Sequence, residues 1–282
     1  MMSRELAEQC TVRLIGLAVF LQTLEQGALR KCWRWPGPWA WERLRPEFQI
    51  WGVVGSWVFD RVLSDRGFLL VLLVQAILSA VCAITGQLIF CVPLFLTTFL
   101  CCLRWRGTFN GGSDYMTMVI LLSLALAWVF RNFEAATSVA LGYIAIQVLL
   151  SYFVAGVVKL KEPEWRDGRA LSVFLTAFIP EGDVPLGQRP GLQSMSWFFS
   201  LVQQLSALRG LCAVLGWGIL IFELSAPSLL LASDRPQVVA VWLMGAAVFH
   251  FMNALVLGLN RFFWAWIAGY PAVFWLILSG LK

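Results

Sequence analysis

The stretch Ala136-Thr-Ser-Val-Ala-Leu-Gly-Tyr-Ile-Ala-Ile-Gln-Val-Leu-Leu-Ser-Tyr-Phe-Val-Ala-Gly-Val-Val-Lys159 decides the fold class. It is apolar almost throughout and long enough to cross a bilayer, which takes about 20 residues of helix. It ends on one lysine, Lys159, at the membrane boundary. Ala155 and Gly156 lie one turn earlier on the same helix face. An ammonium there is costly unless it is paired, hydrated or used.

Seven further apolar runs can be read outward from this one. They cover about 11–29, 68–86, 88–103, 115–132, 210–232, 237–258 and 261–281. Turn residues separate them: Thr85-Gly-Gln87, the run 106–112, Arg131-Asn132, Ser233-Asp-Arg-Pro236 and Asn260-Arg261. The expected architecture is therefore all-α: a polytopic membrane helix bundle of about eight transmembrane helices in a single domain, 1–282. Composition agrees. The chain is 60% hydrophobic and 13% charged, whereas a soluble domain has about 25% charged residues. The first apolar run carries Gln22, Thr23 and Glu25 with no small-residue cleavage site after it, so no cleavable signal peptide is expected.

Two stretches are expected to lie at the interface instead of spanning. Residues 30–63 open with a basic run containing Trp33, Trp35, Trp39 and Trp41, and indoles favour the headgroup level. Residues 162–208 hold two short amphipathic candidates, 170–179 and 197–205, around a Pro/Gly-rich loop from Pro180 to Gly191. With eight spans, most of the 21 Lys and Arg fall on the side of these long stretches. Arg4, Arg13, Arg131, Arg235 and Lys282 fall on the other. The positive-inside rule then puts the long connections in the cytoplasm.

The seven cysteines contain no CxxC pair and lie mostly in apolar runs, so they read as small buried hydrophobes. His250 is the single histidine and has no ligand-type neighbour at metal spacing. No metal is expected. A net charge of +5 is spread over helix ends and loops, as anchoring requires, and gives no reason to expect nucleic acid.

Few ionisable groups remain at membrane depth: Glu25, Lys159, Glu223 and His250, with Asn253 three residues after the histidine. Each has two readings. Lys159 either snorkels to headgroups or loses its proton in an apolar site and acts as a base. Glu223 is a site carboxylate or the structural partner of Arg209 or Lys159. His250 and Asn253 are site groups or interhelical glue. Tyr152 and Trp165 are site aromatics or belt residues. In Asn110-Gly-Gly-Ser-Asp114, Ser113 or Asp114 is a candidate N-cap for the helix that follows.

These motifs, in this order, resemble a family. Tyr152-Phe-Val-Ala-Gly-Val-Val-Lys159-Leu followed by Trp165-Arg-Asp-Gly168 is similar to the Tyr-Phe-Ile-Ala-Gly-Val-Lys-Lys-Leu and Trp-x-Glu-Gly pattern of the vitamin K-dependent γ-glutamyl carboxylase membrane domain. Glu223-Leu-Ser-Ala226 is similar to its Asp-Leu-Ser-Ala, and Phe249-His-Phe-Met-Asn253 to its Phe-His-Cys-Met-Asn. The likeness covers roughly residues 100–282. The same HTTM group includes the sporulation-delaying-protein B type of peptide-toxin maturation factor. The family's Asn-Asn-His-Ser-Tyr motif falls on Asn110-Gly-Gly-Ser-Asp-Tyr115, without its histidine, and no counterpart of the carboxylase's lumenal domain is expected.

The resemblance implies catalytic roles for Lys159, His250 and Asn253, with Lys159 at the position of the base that deprotonates the quinol. It implies substrate or cofactor contacts for Tyr152, Trp165, Glu223, Asn110 and Asp114. It further implies a lipid quinol with CO2 and O2, a peptide or small substrate, carbon–carbon lyase-type chemistry and a bacterial cytoplasmic membrane. A non-enzymatic subunit that binds a peptide or partner protein through 162–208 is the alternative.

Overall fold

Apolar runs of this length leave the backbone one economical solution in lipid, the α-helix, because each peptide group must be satisfied within its own segment. The computed structural model describes residues 2–49, 52–106, 111–177 and 196–279, and they are helical nearly throughout. The helices are α1 (Arg4–Ala28), α2 (Arg30–Trp33), α3 (Trp41–Phe48), α4 (Gly52–Val62), α5 (Asp65–Thr85), α6 (Cys91–Arg104) and α7 (Gly112–Val129). They continue with α8 (Ala136–Lys161), α9 (Pro163–Arg166), α10 (Arg169–Ala177), α11 (Ser196–Ala207), α12 (Arg209–Leu224), α13 (Pro236–Leu257) and α14 (Asn260–Ser279). Two 3-10 turns, Leu88–Phe90 and Ala226–Leu231, precede α6 and follow α12.

Local chemistry sets the ends. Ser64 accepts the Gly67 N–H and starts α5. Gly86 ends it at φ 68°, a left-handed conformation that glycine adopts without a Cβ clash. Pro236 sits in the first turn of α13, where its missing N–H costs nothing.

All eight apolar runs are helices, but five of them are long and apolar enough to cross a membrane: α5, α7, α8, α13 and α14. The expected count of about eight is not reached, for three separate reasons. α1 has 25 residues, but Arg13, Gln22, Thr23, Glu25 and Gln26 make it too polar. α6 has only 14 residues, since the 3-10 turn takes up the start of its run. α12 has 16 residues and meets the end of α11 at a 96° bend, so that pair is at most one broken span or a re-entrant element. The two short helices expected at 170–179 and 197–205 are present as α10 and α11. The Pro180–Gly191 loop lies outside the described residues.

The pairs α1–α5 and α8–α14 run antiparallel, whereas α7 and α14 run parallel, with Asp114 beside Arg261 and Ile120 beside Gly269. On α1 and α5, Gly16 meets Cys82 and Thr23 bonds Gln75. On α8 and α14, Gly142 meets Leu276 while Tyr152 bonds Tyr270. α14 is the central post, touching α1, α7, α8 and α13. Its Ala265, Ala268 and Ala272 are fully buried, and Gly269 faces Val148 on α8. Small residues let helix backbones approach closely where no hydrophobic effect drives them together. The opposite faces are lipid-like: Leu70, Leu73, Ile77 and Ile84 on α5, and Val241, Met244 and Val248 on α13, are all more than half exposed. Such apolar stripes suit a surface that faces lipid.

Two smaller aromatic clusters sit beside the main core. Trp33, Phe68 and Trp105 pack together, as do Trp41, Leu44, Phe48 and Leu63. The fully buried Arg104, at the end of α6, ties them to the bundle by donating to the Trp33 and Trp39 carbonyls.

Candidate functional site

The polar residues of α8 reach their neighbours through a contact at Gly156. A Cβ there would lie 3.0 Å from Leu224 and 3.1 Å from the Glu223 side chain. α12 therefore lies hard against α8 at this level, and it starts beside Gly168, whose own Cβ would lie 2.7 Å from the Arg209 carbonyl. This offset brings Glu223, at the last turn of α12, onto Lys159 near the end of α8.

Lys159 Nζ donates to Glu223 Oε1 in direct contact. The carboxylate is the more enclosed partner, with 3% of its side chain exposed against 20% for the lysine. The ammonium also lies 5.1 Å from the Trp165 ring and 5.9 Å from the Phe249 ring. Aromatic faces attract cations, and more strongly where water is scarce.

Beyond this pair opens a cavity of about 150 Å³. Tyr152, Lys159, Glu223, His250 and Asn253 all line it, with Phe249, Phe262 and Trp266 as its aromatic wall. Clustering is what the cost of isolated polar groups in hydrocarbon requires. His250 is 5% exposed, and neither ring nitrogen has a hydrogen-bond partner among the described residues. Its ring is packed by Trp266 at 5.1 Å, Phe249 at 5.2 Å and Tyr152 at 5.5 Å. A neutral imidazole carries one donor and one acceptor, so His250 offers both to whatever enters. Glu223 Oε2 is likewise without a bond.

The wall is stiffened from behind. Tyr152 and Tyr270 share a 2.8 Å hydroxyl contact, and Trp266 Nε1 donates to Ser151 Oγ at 3.0 Å. Nothing in the sequence marks Tyr270, Trp266 or Ser151 as site residues.

The cavity adjoins a second, apolar chamber of about 550 Å³ between α9, α10, α11, α12 and α13. Lys159, Phe249, Asn253 and Leu259 line both. Trp165, Leu171, Phe174, Leu205 and Ile219 are among the side chains that enclose the larger one. The pair of spaces therefore has one polar end and one long apolar end.

Asp114 belongs elsewhere. Gly111 takes the N-cap position of α7, so neither Ser113 nor Asp114 does. Asp114 accepts from Arg261 Nη1 at 3.0 Å, and Arg261 Nε reaches Glu25 at 2.6 Å. This buried bridge joins α1, α7 and α14. Arg261 had been legible only as a turn residue. Asn110 lies outside the described residues. Among the described residues no three His, Cys, Asp or Glu side chains come together as a metal set.

Outside the spanning segments, the backbone N–H of Arg169 donates to the Asp167 carboxylate at 3.0 Å. That bond, helped by the Arg169 guanidinium, holds the exposed Asp167 carboxyl below its ordinary range. No family model, curated protein or solved structure matches the chain.

Proposed function

We propose that the chain is a membrane-embedded enzyme of carboxylase-like, carbon–carbon lyase type in a bacterial cytoplasmic membrane, with Lys159 as general base. The observation that carries the reading is the meeting of Lys159, Glu223, His250 and Asn253 at one cavity. A base must lie within hydrogen-bond reach of the proton it takes. In its neutral form the Lys159 amine accepts a hydroxyl proton, and the Glu223 carboxylate beside it balances the ammonium that results. His250 and Asn253 face the same space and offer hydrogen bonds to the oxygen left behind.

A lipid quinol suits these residues. Its polar ring would meet His250 and Asn253 in the smaller cavity, and its chain would lie in the apolar chamber. When bound, such a quinol supplies reducing equivalents for reaction with O2, and CO2 is the group to be added. The peptide or small substrate approaches from the end of the bundle that carries α9, α10 and α11.

The second reading, a non-enzymatic subunit that binds a peptide or partner protein, as in peptide-toxin maturation, draws on one observation. The Lys159–Glu223 contact is also what a structural ion pair would make.

The test is quinol consumption by the purified protein in nanodiscs, with O2 and labelled bicarbonate present. Wild type is expected to consume quinol. Lys159→Arg is expected to abolish consumption at matched folding, because arginine stays protonated at any workable pH. Full activity in the arginine variant removes the base. No consumption by wild type removes the enzyme and leaves the binding subunit.

A further inference from the structure

We propose that α2, α3 and α4 form a binding platform for anionic phospholipid headgroups. The segment connects α1 to α5, so it is tethered where two bundle helices reach the same end. It is a folded unit: its apolar side chains are buried in the two aromatic clusters, and Arg104 pins its turn. What it leaves outward is basic. Arg30, Lys31, Arg34, Arg43 and Arg61 are exposed, and none makes an ion pair among the described residues. The carboxylates nearby are largely spent. Asp60 takes Arg45 at 2.7 Å and the Trp41 indole at 2.8 Å, and Glu47 takes Arg106. Glu42 is the exposed acid left over.

Two exposed indoles lie among these cations. Trp35 is 62% and Trp57 58% exposed. Each carries a guanidinium on its face, Arg43 at 5.4 Å from the Trp35 ring and Arg61 at 4.7 Å from the Trp57 ring. The combination selects the occupant. Indoles favour the headgroup layer, and guanidinium forks match phosphate oxygens. The surface potential of anionic lipid acts only within about a Debye length, roughly 10 Å, so cations tethered at the membrane boundary feel it and distant ones do not. An acidic soluble partner would leave the two indoles unexplained.

The experiment is native mass spectrometry of the full-length protein, titrated with phosphatidylglycerol and, separately, phosphatidylcholine of the same acyl chains. Wild type is expected to bind phosphatidylglycerol more tightly, each neutralised arginine lowering that affinity about fivefold. The combined variant R34Q/R43Q/R61Q is expected to lose the preference while its phosphatidylcholine binding stays unchanged. R34K/R43K/R61K keeps the charge and is expected to keep most of the preference, which separates lost attraction from misfolding. Equal binding of the two lipids by wild type overturns the platform. So does an undiminished preference in the glutamine variant, since the selectivity then comes from another face. Glycerol phosphate is the free-phosphate arm: displacement of the lipid by it at equal concentration would make this a site for soluble phosphate and would also overturn the proposal.

Discussion

Lys159 and Glu223 are 64 residues apart in the chain and in direct contact at the wall of a cavity. Their burial is unequal, and the consequence can be measured. Lys159→Met strands a carboxylate that is 3% exposed, and is expected to cost about 3–5 kcal/mol. Glu223→Gln leaves a lysine whose side chain is 20% exposed and which reaches the apolar chamber, so its cost is expected to be about 1 kcal/mol. Lys159→Met with Glu223→Leu removes both charges and should recover most of the loss. Thermal unfolding in detergent of wild type and these three variants checks the order; equal costs for the two single changes would contradict the asymmetry.

His250 is expected to oppose stability to function. Its ring nitrogens are buried without partners, and a buried polar group left unbonded costs about 1–3 kcal/mol. His250→Phe keeps an aromatic ring of similar size against Trp266 and Tyr152. The variant should unfold at a higher temperature and lose quinol consumption. A lower unfolding temperature would mean that the imidazole is structural.

Arg261 holds the opposite flank of α14. Arg261→Met deprives Asp114 and Glu25 together and is expected to cost about 3 kcal/mol or more. Asp114→Asn leaves the arginine its contact with Glu25 and should cost less. Size-exclusion profiles on heating give the order, and a milder effect of Arg261→Met than of Asp114→Asn would refute it.

Asp167 supplies a pH dependence. Its carboxyl is held below the ordinary range in the folded protein, so its contribution is present above the unfolded value and is lost as pH falls through the folded one. Amide protection in the first turn of α10, taken relative to the intrinsic exchange rate at each pH, should therefore fall below about pH 4, the unperturbed aspartate range. Asp167→Asn should remove that acid dependence. An unchanged acid response in the asparagine variant would place its origin in another group.

The sequence by itself determined where the helices are and which polar groups had to be explained. Each apolar run became a helix because backbone amides in a membrane have no other partner, and Gly86, Pro236 and Asn260 stand at the expected breaks. Lys159, Glu223, His250 and Asn253 stood out because a polar group in such a run is costly wherever it points.

The tertiary structure decided how many runs are long enough to span and who meets whom. The shortness of α6 came from a 3-10 turn, and the bend before α12 came from its joint with α11. Neither is written in hydropathy. Glu223 had two candidate cations in the sequence, Arg209 and Lys159, and the packing at Gly156 selected Lys159. Asp114 read as a cap and instead took Arg261, 147 residues away. Tyr270 joined Tyr152 only once α14 lay against α8. Apolar periodicity sets the face that a helix buries. The partner that face meets depends on offsets between helices distant in the chain, and those are set by close packing at small residues such as Gly156 and Gly269.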